Sequence, residues 1–311
     1  EGGGRGSGCG FVVSGSGLAV GLTGLRFDRF GGGLFLAIWA FHNPNVSASV
    51  PQLKAAIAQV QGDVAEIPAL IGGREVASGR TVDVTAPHRH SHVLAHLHQC
   101  DDAQVRQAID AALAAQPEWS AMSFEHRAGV FLKAADLIAG PWRDRLNAST
   151  MLGQSKTVYQ AEIDVACELA DFLRFNVHFA ERLYAEQPES SPGTWNRVDY
   201  RPLEGFVYAI SPFNFTAIGG NLCTAPAMLG NVVLWKPATT ASLACWRVMQ
   251  VLQEAGLPPG VINFVSGDSS MVTRTVLADE RLAGIHFTGS TAVFQSLWRD
   301  VAQRIDRYRT Y

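Results

Sequence analysis

Residues 203–233, LEGFVYAISPFNFTAIGGNLCTAPAMLGNVV, restrict the possible fold more than any other stretch of the chain. The apolar run from Gly205 to Ile210 stops at Ser211-Pro212. Proline cannot donate to a sheet ladder, so a strand ends there. Asn214 follows as a single polar side chain between Phe213 and Phe215. Small residues (Ala217, Gly219, Gly220) then lead into an apolar helix through Leu222, Ala225 and Leu229. A strand, a short polar turn and a helix start is how open α/β proteins present a reactive group at the carboxyl edge of a sheet.

The unit recurs downstream. A strand over 232–234 ends at Trp235-Lys236-Pro237 and leads to a helix over 240–255. A strand over 261–265 ends in Ser266-Gly267-Asp268 before a helix over 271–277, and a strand over 282–287 meets Thr288-Gly289-Ser290-Thr291 before a helix over 292–305. This alternation predicts a parallel sheet with helices on both faces.

Residues 46–187 read as a helical part with small strands. A helix is expected over 51–60, two strands over 67–71 and 74–76 about a Gly72-Gly73 turn, and further strands over 81–85 and 93–97. Asp101-Asp102 caps a helix with Val105, Ala108, Ile109, Ala112 and Leu113 on one face, expected to end at Pro117. A second helix spans 123–139 and is stopped by Gly140-Pro141. A third, over 158–184, turns Ile163, Ala166, Leu169, Ala170, Leu173 and Val177 inward. Glu168 lies at its apolar edge, where a boundary salt bridge and a site role are equally open. The polar segment 188–202, PESSPGTWNRVDYRP, suits an exposed hairpin or arm, a device that adds strands to another subunit.

Other features argue against particular chemistries. His88, His90, His92, His96 and His98 occupy alternate positions, but no acidic residue or cysteine is regularly interleaved, so they read as a solvated strand face and no metal site is expected. Residues 1–45 are glycine-dense and are expected to be unpacked or extraneous. Within them Gly15, Gly17 and Gly21 follow Phe11-Val12-Val13 like a dinucleotide loop, yet Gly24 interrupts any following helix and no acidic ribose-binding residue follows. The apolar run 34–41 is too short to span a bilayer. A net charge of −3 gives no reason to expect nucleic acid or a membrane as partner. Five scattered cysteines without a CxxC pair favour free thiols in a reducing compartment.

The strand ends place Ser211-Pro-Phe-Asn214, Lys236-Pro237, Ser266-Gly267 and Thr288-Gly-Ser290 along one sheet edge, where α/β proteins bind nucleotides. Gly289-Ser290 at a helix N-terminus offers backbone N–H groups to a pyrophosphate, though serine is also a common cap. Lys236 can reach ribose hydroxyls or merely snorkel at the rim. Asn214 can aim its amide at a developing oxyanion or tie the turn together.

Together 203–233, LWKPAT and HFTGST resemble the aldehyde dehydrogenase superfamily, and ISPFNFTAIGGN resembles its 1-pyrroline-5-carboxylate (L-glutamate gamma-semialdehyde) dehydrogenase branch. FLKAADLIAGP (131–141), GQSKTVYQAEID (153–164), ELADFLRFN (168–176) and EAGLPPGVINFV (254–265) extend the resemblance over about residues 47–311. It implies a Rossmann-like NAD-binding part over 203–311 and NAD-dependent oxidation of the semialdehyde to L-glutamate in proline catabolism. Asn214 corresponds to the family's transition-state stabiliser. Ser211, Lys236 and Gly289, Ser290, Thr291, Ala292 and Val293 correspond to cofactor contacts, and Glu168 and Phe215 to the substrate tunnel. A homo-oligomer is implied, in the cytoplasm of a bacterium, the compartment preferred here, or the mitochondrial matrix of a eukaryote.

Two departures qualify the match. Thr239 stands where many relatives have a glutamate that holds ribose hydroxyls, leaving NAD against NADP open locally. The family pattern continues past Tyr311 into a Glu-x-Gly-Gly-Lys segment with the general base and later a nucleophilic cysteine, and none of the five cysteines here sits in such a motif. The chain therefore reads as the N-terminal, cofactor-binding fragment of the enzyme with the catalytic domain absent. The alternatives are a catalytically dead nucleotide-binding fragment or another semialdehyde or fatty-aldehyde dehydrogenase.

Overall fold

The order in which strands enter the main sheet decides where a ligand can sit. A computed structural model describes residues 12–14 and 50–309. Its elements are β1 (Val12–Ser14), α1 (Val50–Gly62), β2 (Ala65–Ile67), β3 (Ala69–Ile71), β4 (Arg74–Val76), β5 (Thr81–Ala86), β6 (Arg89–His98), α2 (Asp102–Ala121), α3 (Phe124–Ala139) and α4 (Arg143–Gln154). Next come α5 (Val158–Ala161), a π-helical segment (Glu162–Leu169), α6 (Ala170–Ala185), β7 (Phe206–Ile210), α7 (Thr216–Met228), β8 (Val232–Lys236), α8 (Ser242–Ala255), β9 (Ile262–Phe264), α9 (Ser269–Leu277), β10 (Leu282–Thr288) and α10 (Thr291–Ala302).

The main sheet has the order β1-β10-β7-β8-β9-β3-β4. β1, β10, β7, β8 and β9 are parallel, as the alternation predicts. From β7 the chain builds outward through β8 and β9, then returns to place β10 on the other side of β7. That reversal opens a crevice at the carboxyl ends of β7 and β10. Right-handed crossovers put α7 and α8 on one face and α9 on the other, where α2 packs beside it. Trp235 and Trp246 both meet Phe264 edge-on, with ring centroids 5.3 and 5.5 Å apart.

Several expectations need correcting. The sheet is mixed, because the β3–β4 hairpin joins β9 antiparallel. Its turn residues Gly72 and Gly73 have φ of 58° and 77°, the left-handed geometry that suits strand twist. The run read as one strand over 67–71 is divided at Pro68, whose missing N–H cannot continue a ladder. β2 belongs to a separate three-stranded sheet, β2-β6-β5. α2 continues past Pro117 to Ala121, held by buried Trp119, whose Nε1 donates to Ala227 O at 2.8 Å. α4 was not expected. Its N-terminus has no side-chain cap to announce it, and it buries polar Asn147, Ser149 and Thr150. The segment 188–202 is exposed and forms no strand of its own, although Gln187 and Tyr200 reach across its base to Val198 and Glu186.

Of the glycine-rich 1–45, residues 12–14 form an edge strand beside β10, and the rest lies outside the described residues. The 15–21 loop and the apolar 34–41 run lie outside the described residues. Among the described residues no helix is long and apolar enough to cross a membrane. Four histidines of the alternating array have separate partners, His96 on Asp83, His98 on Glu66, His92 on Gln61 O and His88 on Ser155. No group of three or more potential metal ligands occurs among the described residues.

Gly205 tests the β7–β10 junction. Its φ is 128°, and an added Cβ would sit 2.0 Å from Arg281 O, the atom that accepts the Phe206 N–H. Gly205→Ala is expected to cost on the order of 2 kcal/mol or more through backbone strain and overlap. Urea unfolding should show a lower midpoint; an unchanged midpoint would refute the junction's tightness.

Candidate active site

The turn after β7 is organised from outside itself. Phe215, the residue before α7, supplies no side-chain cap. The first N–H groups of a helix need acceptors, and Asp164 of the π-helical segment provides them. Its Oδ2 accepts from Thr216 N at 3.0 Å and its Oδ1 from Ala217 N at 2.8 Å. Asp164 is 1% exposed, and its charge is balanced by Lys156 Nζ, 2.6 Å from Oδ2. The Thr216 hydroxyl is held by Gln154 Nε2 at 2.8 Å and lies 3.0 Å from Thr150 Oγ1. Gly220 lets α7 lie against the π segment, since a Cβ there would stand 2.7 Å from Leu169 Cδ1.

Asn214 and Phe215 project from this clamped turn. Asn214 is exposed, and its carboxamide makes no hydrogen bond to another described residue. Phe215 is 37% exposed, and its ring centroid lies 4.2 Å from Lys156 Nζ, a cation–π contact. Glu168, one helical turn beyond Asp164, is only partly buried. Desolvation, reinforced by the Asp164 charge and opposed by Lys156, pushes its carboxyl pKa up to about 7. A freely available amide donor, an aromatic wall and a carboxyl that titrates near neutrality thus surround one end of α7.

The cofactor candidates divide into two groups across the crevice. Pairing of Ile210 with Phe287 sets the turn after β7 beside the turn after β10. Ser290 caps α10 through Val293 N at 3.3 Å, while Gly289, Thr291, Ala292 and Val293 are exposed. The N–H groups of Thr291 and Ala292 have no intrahelical acceptor and face the positive end of the helix dipole, so they suit a diphosphate. Lys236, 5% exposed, ends β8 with Nζ 3.0 Å from Ser269 Oγ. Burial pushes its pKa down, with Asp268 acting in the opposite direction. A desolvated ammonium beside a hydroxyl suits polyol oxygens. Ser211 is committed inward: its Oγ accepts from Trp235 Nε1 at 2.6 Å, and its N–H and C=O pair with Lys236 O and Ala238 N.

Sequence reasoning missed Asp164, Lys156, Thr150 and Gln154. An available signal was Asp164 four residues before Glu168 on a helix whose neighbours are apolar. The expected inward set is buried from Ala166 to Val177, with Ile163 the exception. The π geometry buries Glu162 and Asp164 and leaves Ile163 half-buried. Glu162 is secured by Arg143 and by Asn147 Nδ2 at 2.7 Å. Cys100, Cys223 and Cys245 are buried, and desolvation raises all three thiol pKa values.

A family model described as the aldehyde dehydrogenase family matches residues 74–309. The chain belongs to this family. It is 52% identical over 259 residues to the mitochondrial delta-1-pyrroline-5-carboxylate dehydrogenase of Mus musculus, covering 83% of this chain and 46% of that protein. It is 49% identical over 261 residues to the delta-1-pyrroline-5-carboxylate dehydrogenase of Agaricus bisporus, covering 83% and 48%. A structure of the enzyme from Mycobacterium tuberculosis bound with NAD superposes with a TM-score of 0.83 at 55% identity, covering 84% of this chain and 49% of that one. The chain thus spans about half the length of the relatives it matches. Its parallel β7–β10 core and flanking helices match the aldehyde dehydrogenase fold.

The raised Glu168 pKa has a consequence for stability. The folded state holds a proton that an unfolded glutamate releases near its ordinary value of 4.5. The stability associated with that proton is therefore full below about 4.5 and lost as pH rises through about 7. Glu168→Gln, which cannot ionise, should gain in urea midpoint relative to the parent between pH 5 and pH 8. A difference independent of pH would show that Glu168 is not held protonated.

Proposed function

We propose that this chain is the cofactor-binding half of an NAD-dependent enzyme that oxidises L-glutamate gamma-semialdehyde, the open form of 1-pyrroline-5-carboxylate, to L-glutamate in proline catabolism. The 55% identity with the NAD-bound mycobacterial enzyme across 84% of the chain carries this reading. The edge residues agree with it. Lys236 is assigned to ribose hydroxyls, and Gly289, Ser290, Thr291, Ala292 and Val293 to the diphosphate. Ser211 contributes through the rim it builds. Bound NAD supplies the hydride acceptor. Asn214 Nδ2–H donates to the oxygen that gains charge when a thiolate adds to the aldehyde, and Phe215 and Glu168 line the substrate's path.

Burial and raised pKa make Cys100, Cys223 and Cys245 poor candidates for that thiolate. A homo-oligomer belongs to the same proposal, supported by the exposed 188–202 segment with Trp195 at 78% exposure. So does a matrix location in a eukaryote or a cytoplasmic one in a bacterium; curated vertebrate relatives are named as mitochondrial.

The full-length protein should reduce NAD with pyrroline-5-carboxylate and be markedly slower with succinate semialdehyde, followed by NADH absorbance. Asn214→Ala should lower kcat about 100–1000-fold with NAD binding retained. Equal rates on the two aldehydes would overturn the substrate assignment, and an unchanged kcat the oxyanion role.

A further inference from the structure

We propose that Asp164, held by Lys156, is the positioning residue for Asn214: a buried carboxylate from the π-helical segment sets the turn from which the oxyanion donor projects. This rests on the assignment of Asn214 given above. The donor's own surroundings do not fix it, since Asn214 is exposed and its carboxamide is uncommitted among the described residues. Its nearest fixed point is the peptide joining Phe215 to Thr216, whose N–H donates to Asp164 Oδ2. The next peptide, through Ala217 N, donates to the other oxygen of the same carboxylate. Two successive peptide planes are thereby tied to one side chain.

Lys156 completes the arrangement from the opposite direction. Its ammonium is 2.6 Å from Asp164 Oδ2 and 4.2 Å from the Phe215 ring centroid. The residue after Asn214 is consequently gripped through its ring by Lys156 and through its following amide by Asp164. Any rotation of the turn that swings Asn214 away must break a charge-assisted hydrogen bond in the interior or slide Phe215 off the cation. Thr150 and Gln154 hold the Thr216 hydroxyl, so α4 braces the same point.

Asp164→Asn retains size but cannot accept from both amides and Lys156 together. In the full-length protein it should lower kcat about 100-fold, the scale of a misplaced reacting group, while KM for NAD stays near the parent value. In an Asn214→Ala background the same substitution should add almost nothing, because no donor remains to be positioned. A merely structural role would multiply the two losses and weaken NAD binding.

The controls separate the proposal from the reading beneath it. If Asn214→Ala turns over at the parental rate, the oxyanion assignment fails. If Asn214→Ala is slow but Asp164→Asn is not, or if the two effects multiply, the positioning role fails. Should Asp164→Asn lose NAD binding through misfolding, Lys156→Met provides the second measurement. It removes the cation while both helix amides keep their acceptor, and it should lower kcat about 10-fold without adding to Asn214→Ala. A parental rate in Lys156→Met would overturn the clamp.

Discussion

Helix α7 is the member on which the remainder of this structure depends, and it is held by charge at both ends. The Asp164 carboxylate accepts its first amides. At the other end Arg127, itself buried, donates through Nε to Met228 O at 3.1 Å, and Trp119 Nε1 donates to Ala227 O. An anion at the positive end and a cation at the negative end oppose the helix dipole in the favourable sense. All three anchoring side chains come from the N-terminal helical part. The helices that precede the sheet in sequence therefore fix where the first catalytic-edge turn stands, and β7 and β8 on either side of α7 inherit that placement.

The edge also shows burial acting in opposite directions on opposite charges. Desolvation favours the neutral form of each side chain, raising the Glu168 pKa and lowering that of Lys236. Asp164, in the same interior, has two amide N–H groups and the Lys156 ammonium as partners. Breaking such a buried pair is far costlier than never having made it. The same neighbours act unequally on Glu168, where the Asp164 charge raises the pKa and Lys156 lowers it.

Much of the sheet was legible because its signals are local. Strand runs end at prolines or glycines, helix starts carry serine or aspartate caps, and the Gly72-Gly73 turn announces a hairpin. The edge residues could be named for the same reason, since each follows a strand directly. What lay beyond reach depends on contacts distant in sequence. Pro117 stays inside α2 because Trp119 is anchored to a carbonyl more than a hundred residues away. The antiparallel addition of β3 relies on Asn263, whose amide bridges Gly72 N and Gly260 O, each at 2.8 Å. Asp164 could not be placed from its own helix, because the amides it accepts from lie more than fifty residues away in sequence.

That segment, Glu162–Leu169, carries one residue more than regular α-helix would need over the same height. Removing any one of its residues would give a smoother helix with better intrinsic geometry. It would also rotate everything upstream by about 100° against everything downstream. Glu162 on Arg143 and Asn147, Asp164 on the end of α7 and Leu169 against Gly220 could then no longer all be kept. The spacing between Lys156 and Glu168 is thus tied to contacts at both ends of the segment.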